Sequence, residues 1–542
     1  MNLRNITRVA LALLLAVVMV LSAVACTQSG NNTETTGETA DETAGETATD
    51  TQPAESATET QPEESVTETQ PEETVDGTQP VESEPATQPE ETTPEETAPD
   101  TLPEEIVDEH TYDFYITLGT MPTLYATLTA YERQNPNTYM WFLRGNTISR
   151  EYSASFIQYF ETQSETNANS TVDWALIRNK VKEIKENDPE AKFHLYCDDL
   201  RVSFIPHIFV WAGVDFADLR VTLLSDGTAT YNNYSYQTDN YYNDYAGRFE
   251  EALNTYKAGR DNPDFTPTFA DDDGSMMDLM YLAFYVSTFP NVEYWVQNPD
   301  YLKCDSAVVA EKRPTMHIVE KNPTEMYANL PDDVRAEYQK VVLANALVDS
   351  ETLNTLEDAV AYFDAKLSGR DKELVLILGT SKQTLDANKF YIDSTVSFYT
   401  PTVQANDPTK VLYKGQIYDI EAGAATVTVD GKELTIGELA VYLFFKGHPS
   451  YPANPDLKEY FAGFGIEILP HRTPVETLFW MYDVKVGGYQ STSFLSCYKG
   501  QTEFMYEMPT AEAIVQMMGA GFFENVAVFV APVEEETTTP AA

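Results

Sequence analysis

Three short stretches of this 542-residue chain carry side chains suited to acid–base work or to holding an anion, and each lies where an apolar run ends. The first is Leu224-Ser225-Asp226-Gly227-Thr228. A carboxylate at the carboxyl end of a strand, on a turn tightened by glycine, is placed to act as a general base; the same residues also suit a plain Asp-Gly turn. The second is Phe445-Lys446-Gly447-His448-Pro449. Here His448 can give a proton or a hydrogen bond to a phosphate leaving group, Lys446 brings positive charge, and Pro449 stiffens the exit. A histidine in an ordinary surface turn has the same signature. The third runs from Leu469-Pro470-His471-Arg472-Thr473-Pro474-Val475-Glu476 to Lys485-Val486-Gly487-Gly488-Tyr489-Gln490-Ser491-Thr492-Ser493. Thr473 and Glu476 have the spacing of a helix capping box with Pro474 at the first helical position; Glu476 is otherwise an acceptor for a ribose hydroxyl. Gly487-Gly488 lets backbone approach a ligand closely. Ser491 and Thr492 open a helix, where their hydroxyls and amides suit a phosphate or serve as an N-cap.

Such groups need elements to aim them, and the chain supplies an alternation. Phe114–Leu118, Met140–Arg144, Lys192–Tyr196 and Leu219–Leu224 read as strands, with helical stretches at Pro122–Arg133 and Val172–Glu186 between them. A mostly helical block follows over Asn240–Leu367, and the rhythm resumes at Leu374–Gly379. Val411–Lys432, with Asp430-Gly431, reads as a hairpin insertion; Val441–Phe445, Ile466–Leu469 and Val484–Val486 are further short strands. A β-α-β rhythm predicts parallel sheets covered by helices. The expected organisation is two Rossmann-like α/β domains, 110–370 and 371–532, whose strand ends face a central cleft.

The ordered set of motifs resembles the bacterial sialyltransferases of glycosyltransferase family 80: an Asp-Gly-Ser/Thr turn, Lys-Gly-His-Pro, Ile/Leu-Pro-x5-Glu, and Lys-Val-Gly-Gly-x2-Ser-Ser/Thr. Leu118–Leu124 is similar to the family's first strand-to-helix turn, and Gly379-Thr380 to its domain-opening Thr-Gly-Thr. The resemblance implies the GT-B fold and an inverting transfer of sialic acid from CMP-sialic acid to a terminal galactoside (α2,3 or α2,6), with no metal or other cofactor. It makes Asp226 the base that takes the acceptor proton and His448 the group that assists departure of CMP. Ser491 and Thr492 would hold the phosphate, with Thr492 in place of a second serine. Glu476 would hold the ribose, Lys446 would line the cytosine side, and Gly447, Pro449 and Gly379 fall on the same donor side. The acceptor side departs more from the family: Asp198-Asp199-Leu200-Arg201 stands where the family has a histidine, and Gln383 where it has a tryptophan. Arg144, Asp198, Asp199 and Arg201 are the candidate acceptor contacts.

The ends of the chain read differently. Residues 1–25 are a signal peptide, with Arg4 and Arg8 before the apolar run Val9–Val20. Leu21-Ser22-Ala23-Val24-Ala25-Cys26 resembles a lipobox, so lipidation of Cys26 and tethering to the outer face of a bacterial cell membrane are expected. Residues 26–109, almost wholly Thr, Glu, Pro, Ala, Gly, Ser and Gln, form an expected disordered stalk, and 533–542 a matching tail. The net charge of −52 thus says little about a substrate, although it and the lack of a basic patch disfavour nucleic acid. Cys197, Cys304 and Cys497 show no spacing of a disulfide framework or zinc site; one pair could form a bridge, but all three read as buried thiols. Two other functions fit the same scaffold: a non-catalytic glycan- or nucleotide-binding surface lipoprotein, and a transferase for another CMP-activated keto-sugar such as Kdo.

Overall fold

Runs of apolar, β-branched and aromatic residues become strands, and the inner ones are buried on both faces, as parallel sheets require. The seven strands of the first sheet are β1 (Thr111–Thr117), β2 (Thr138–Phe142), β3 (Ile157–Tyr159), β4 (Lys192–Asp198), β5 (Leu219–Leu224), β6 (Val292–Val296) and β7 (Ile318–Glu320). They pair in the order β3-β2-β1-β4-β5-β6-β7, every pair parallel. The second sheet holds β8 (Leu374–Leu378), β14 (Tyr442–Lys446), β15 (Glu467–Ile468), β16 (Lys485–Tyr489), β17 (Thr502–Glu507) and β18 (Ala527–Val530). Its order is β15-β14-β8-β16-β17-β18, again wholly parallel. All five side chains of β8 are buried, each contributing about 1.5–3 kcal/mol of apolar burial. The architecture is the GT-B arrangement of two α/β halves.

The computed structural model describes residues 106–142, 148–160, 174–199, 205–235, 239–262, 282–304, 306–380, 384–420, 426–429, 431–449, 452–489, 491–498, 500–507 and 527–530, with Leu102 and Phe265. The expected signal peptide, Cys26, the expected stalk apart from Leu102 and residues 106–109, the expected tail, Arg144, Arg201, Gln383 and Asp430 lie outside them. All described residues belong to the unit that includes Thr97–Ala542. Among the described residues no helix is long and apolar enough to cross a membrane.

Each half has an apolar core on one face of its sheet, and helices also pack between the two sheets. One apolar cluster runs from Tyr115 and Met140 of the first sheet, through helices Thr120–Arg133 and Asp332–Leu343, to Leu374, Leu376 and Phe444 of the second. The halves are therefore held by shared burial, which fixes the strand ends that face each other.

Several expectations need correction. The block Asn240–Leu367 is not simply helical: β6 and β7 lie inside it and complete the first sheet. The hairpin insertion is larger than Val411–Lys432. It is an antiparallel sheet of β9 (Thr402–Gln404), β10 (Asp407–Tyr413) and β11 (Gln416–Asp419), followed by a ribbon of β12 (Thr426–Val429) and β13 (Lys432–Thr435). Of the three thiols only Cys197 is buried; Cys304 and Cys497 are half-buried, and none of the three forms a disulfide.

Candidate active site

The base candidate sits where β5 ends. Gly227 takes φ +60, a left-handed conformation that glycine adopts without steric cost. The Asp226 N–H donates to Thr230 Oγ1 at 2.8 Å, tying the turn to the first turn of helix Thr228–Ser235. Asp226 itself is half-buried. Its carboxylate lies against the turn that follows β1: a Cβ built on Gly119 would fall 2.5 Å from Asp226 Oδ1, so a glycine there leaves the carboxylate its room.

Two further acids stand behind this turn. Asp198 ends β4 with its side chain buried, and its Oδ2 accepts the N–H groups of Leu118 (2.6 Å) and Gly119 (3.1 Å). It therefore staples the β1 turn instead of reaching the cleft. Asp199, 2% exposed, accepts the hydroxyls of Thr230 and Tyr294 at Oδ2. Neither acid lines the cleft as an acceptor contact would, since each carboxylate is taken up inside the fold.

The opposite wall comes from the second sheet. β14 delivers Lys446, Gly447, His448 and Pro449 in succession. Lys446 is fully enclosed, and its ammonium donates to the carbonyls of Gly447 (2.8 Å) and His471 (2.6 Å). Burial pulls this lysine down to about 8, while the charges of Glu476 and Asp349 oppose that shift. Asp349 in turn holds the other side of the His471 loop, accepting the Arg472 N–H at 2.6 Å and pairing with the Arg472 guanidinium at 3.1 Å. Lys446 is thus a clamp between two loops as well as a positive charge at the cleft. Gly379 directly follows β8 beside it, with its N–H donating to the Lys446 carbonyl. A side chain at Gly379 would meet the Phe445 ring at 2.5 Å.

The third motif folds differently from its spacing. Helix Val475–Met481 begins at Pro474 with no side-chain cap, so the Thr473–Glu476 capping box does not form. The Glu476 carboxylate is drawn away by a stronger partner and accepts Ser493 Oγ at 2.6 Å. Gly488 also differs in role: at φ +118 its missing side chain would fall 2.6 Å from the Leu378 carbonyl, so glycine here lets β16 approach β8 rather than a ligand. Ser491 caps the short helix Thr492–Ser496, accepting the Ser493 N–H at 3.3 Å. Thr492 reaches across to the other half, with its hydroxyl 2.8 Å from that of Thr228 and its methyl against Gly227.

These pieces enclose one cleft of about 300 Å³. Asp226, His448, Lys446, Gly447, Pro449, Glu476, Ser491, Thr492 and Gly379 all line it. Of the four candidate acceptor contacts, Asp198 and Asp199 are buried behind it, while Arg144 and Arg201 lie outside the described residues. Sequence reasoning missed Thr228 as the partner of Thr492 and Ser493 as the partner of Glu476. For Ser493 a signal existed, since it follows the two hydroxyl residues already singled out. Chemically, the cleft sets a carboxylate from one half against an imidazole, hydroxyls and a buried ammonium from the other.

No family model matches the sequence, and no curated protein matches it. Solved structures do. One is an α/β-galactoside α-2,3-sialyltransferase from the luminous marine bacterium Photobacterium phosphoreum, with a TM-score of 0.50 and 14% identity over 78% of this chain and 99% of that one. A second is a 2,6-sialyltransferase from a Vibrionaceae Photobacterium species, in a ternary complex with CMP and lactose. Its TM-score is 0.49 and its identity 13%, over 78% of each chain. A third is the GT-B domain of a Photobacterium damselae sialyltransferase, at 0.46 and 15%, over 78% and 100%. At such identities the likeness is one of fold.

Proposed function

We propose that this chain is a sialyltransferase that moves sialic acid from CMP-sialic acid to a terminal galactoside with inversion and without a metal. The observation that carries the reading is the convergence of Asp226 with His448, Glu476, Ser491 and Thr492 on one cleft, from opposite sheets and from motifs far apart in the chain. The fold shared with an α-2,3-sialyltransferase agrees with it, although such a scaffold hosts many chemistries.

In this reading Asp226 accepts the proton of the acceptor hydroxyl as its oxygen bonds to the anomeric carbon. The bond from that carbon to the phosphate oxygen breaks, and CMP leaves with the electron pair. His448 donates to the departing phosphate, and the hydroxyls and amides around Ser491 and Thr492 hold it. Glu476, oriented by Ser493, accepts from the ribose. Inversion follows from placing base and leaving group on opposite walls. A positioned carboxylate of this kind contributes roughly 10²–10⁴-fold.

The test is incubation of the full chain with CMP-Neu5Ac and lactose, following CMP release and sialyllactose, beside Asp226→Ala. Product from the wild type, retained in EDTA and lost in the variant, is expected; its linkage decides between α2,3 and α2,6. Turnover of CMP-Kdo but not CMP-Neu5Ac would change the donor. Absence of both product and CMP release across galactosides, with CMP still bound, would leave a binding protein.

A further inference from the structure

Asp199 directly follows β4, which pairs with β5, the strand that leads to Asp226, and the contacts around Asp199 form a chain. The Asp226 N–H donates to Thr230 Oγ1; the Thr230 hydroxyl donates to Asp199 Oδ2; Tyr294, on β6, donates to the same oxygen. Both roles of the Thr230 hydroxyl are thereby fixed, so the place of the Asp226 backbone is referred to the Asp199 carboxyl. The second oxygen, Oδ1, is buried and has no hydrogen-bond partner among the described residues. A carboxylate so enclosed carries one oxygen without a donor, which favours the protonated form.

The titratable groups facing Asp199 among the described residues are acids. Asp198 and Cys197 end β4 just before it, Asp226 follows the neighbouring β5, Tyr294 is on β6, and Tyr125 faces it from helix Thr120–Arg133. None would stabilise a negative charge by its own charge.

We propose that Asp199 is a positioning residue for the Asp226 base: through Thr230 it fixes the turn that presents the base, and its own ionisation sets the charge immediately behind it. This rests on the transferase reading above. Burial pushes Asp199 up to about 7, the nearby Asp226 and Asp198 charges add to that, and the two hydroxyl donors oppose it. Asp199 therefore ionises in the neutral range. Once anionic, it makes Asp226 the stronger proton acceptor, because a second negative charge beside a carboxylate favours its protonated form.

Three variants of the full chain test this: Asp199→Asn, Thr230→Val and Thr230→Ser. In the wild type, kcat should rise with pH through an inflection near 7. Asp199→Asn should abolish that inflection and lower kcat about tenfold above it, with KM for CMP-Neu5Ac nearly unchanged because the donor contacts lie on the other half. Thr230→Val should cost a similar factor and move the inflection upward, since Asp199 loses a donor to its anion. Thr230→Ser, which keeps the hydroxyl, should restore both. An unchanged inflection in Asp199→Asn, or full kcat in Thr230→Val, overturns the proposal.

A second arm does not need turnover. A carboxyl whose folded pKa is raised from 3.8 to about 7 makes the fold lose stability as pH rises through that window. The Tm of Asp199→Asn should therefore gain on the wild type between those limits, and a gap that does not vary with pH overturns the ionisation of Asp199. Wild-type protein that neither transfers nor releases CMP, yet shows the Tm signature, sinks the transferase reading and leaves the buried acid established.

Discussion

Lys446 shows how much one side chain does at this site. A buried lysine survives only when its charge is partnered, and here the partners are two carbonyls, Gly447 and His471, on separate loops of the cleft wall. Lys446→Met keeps the volume but removes the donor from both carbonyls. Each lost donor costs about 1–3 kcal/mol, so a destabilisation of about 2–6 kcal/mol and weaker CMP binding are expected, measured by urea unfolding and calorimetry. The pH dependence has a definite sign. The folded lysine releases its proton near 8 and the unfolded one near 10.5, so wild-type stability improves as pH rises through that window. The variant lacks this gain, and its deficit should widen from neutral to alkaline pH; a constant deficit would mean that Lys446 is not the group titrating. The sequence placed Lys446, His448 and Asp226 in the site because each stands at a strand end beside glycine. It misplaced the Glu476 contact, because a capping-box spacing does not reveal a competing hydroxyl, Ser493, that arrives from another loop.

At the scale of elements, the strands of the second sheet owe their spacing to one glycine. β16 and β8 pair in parallel with Gly488 opposite Leu378, and a Cβ at Gly488 would sit 2.6 Å from the Leu378 carbonyl and 2.7 Å from its nitrogen. Backbone cannot yield as a flexible side chain can. Gly488→Ala should therefore separate the two strands and cost more than about 4 kcal/mol, in the range reserved for severe substitutions. Gly431→Ala is the matched control. Its φ of +76 is equally left-handed, yet nothing lies within 4 Å of the new Cβ, so the cost is the conformational strain of about 1–2 kcal/mol. Soluble yield and Tm distinguish them, and equal losses would mean that the close approach to β8 is not what requires the glycine. The pairing explains what could be read beforehand. β8 and β5 are apolar runs flanked by helical patterns, and their period is plain. β6 and β7 were hidden because Glu293 interrupts the apolar run of Val292–Val296 and Ile318–Glu320 is only three residues, both within helical surroundings.

At the scale of the molecule, the question is what registers one half against the other at the cleft. The shared apolar core sets the approach, and the finest contact is at Gly227, where a Cβ would lie only 1.9 Å from the Thr492 methyl carbon. The next atoms of Thr492 are 3.3 and 3.5 Å away, so the obstruction is that methyl group alone. The neighbouring hydroxyls of Thr228 and Thr492 then bond across the same gap at 2.8 Å. Gly227→Ala should therefore push the phosphate-side loop off the base turn. The expected result is a loss of CMP affinity and turnover of about 10²-fold or more, as a displacement of about 1 Å produces, with the circular dichroism of the folded chain retained. Thr492→Ser removes the methyl and keeps the hydroxyl that faces Thr228. Combined with Gly227→Ala it should restore most of the lost affinity and turnover, leaving only the strain of a left-handed alanine, about 1–2 kcal/mol. Such rescue is a non-additive pair in the sense expected of residues in direct contact. If the double variant is as impaired as Gly227→Ala alone, the defect lies in the turn itself, and the two halves are registered by the core without help from this contact.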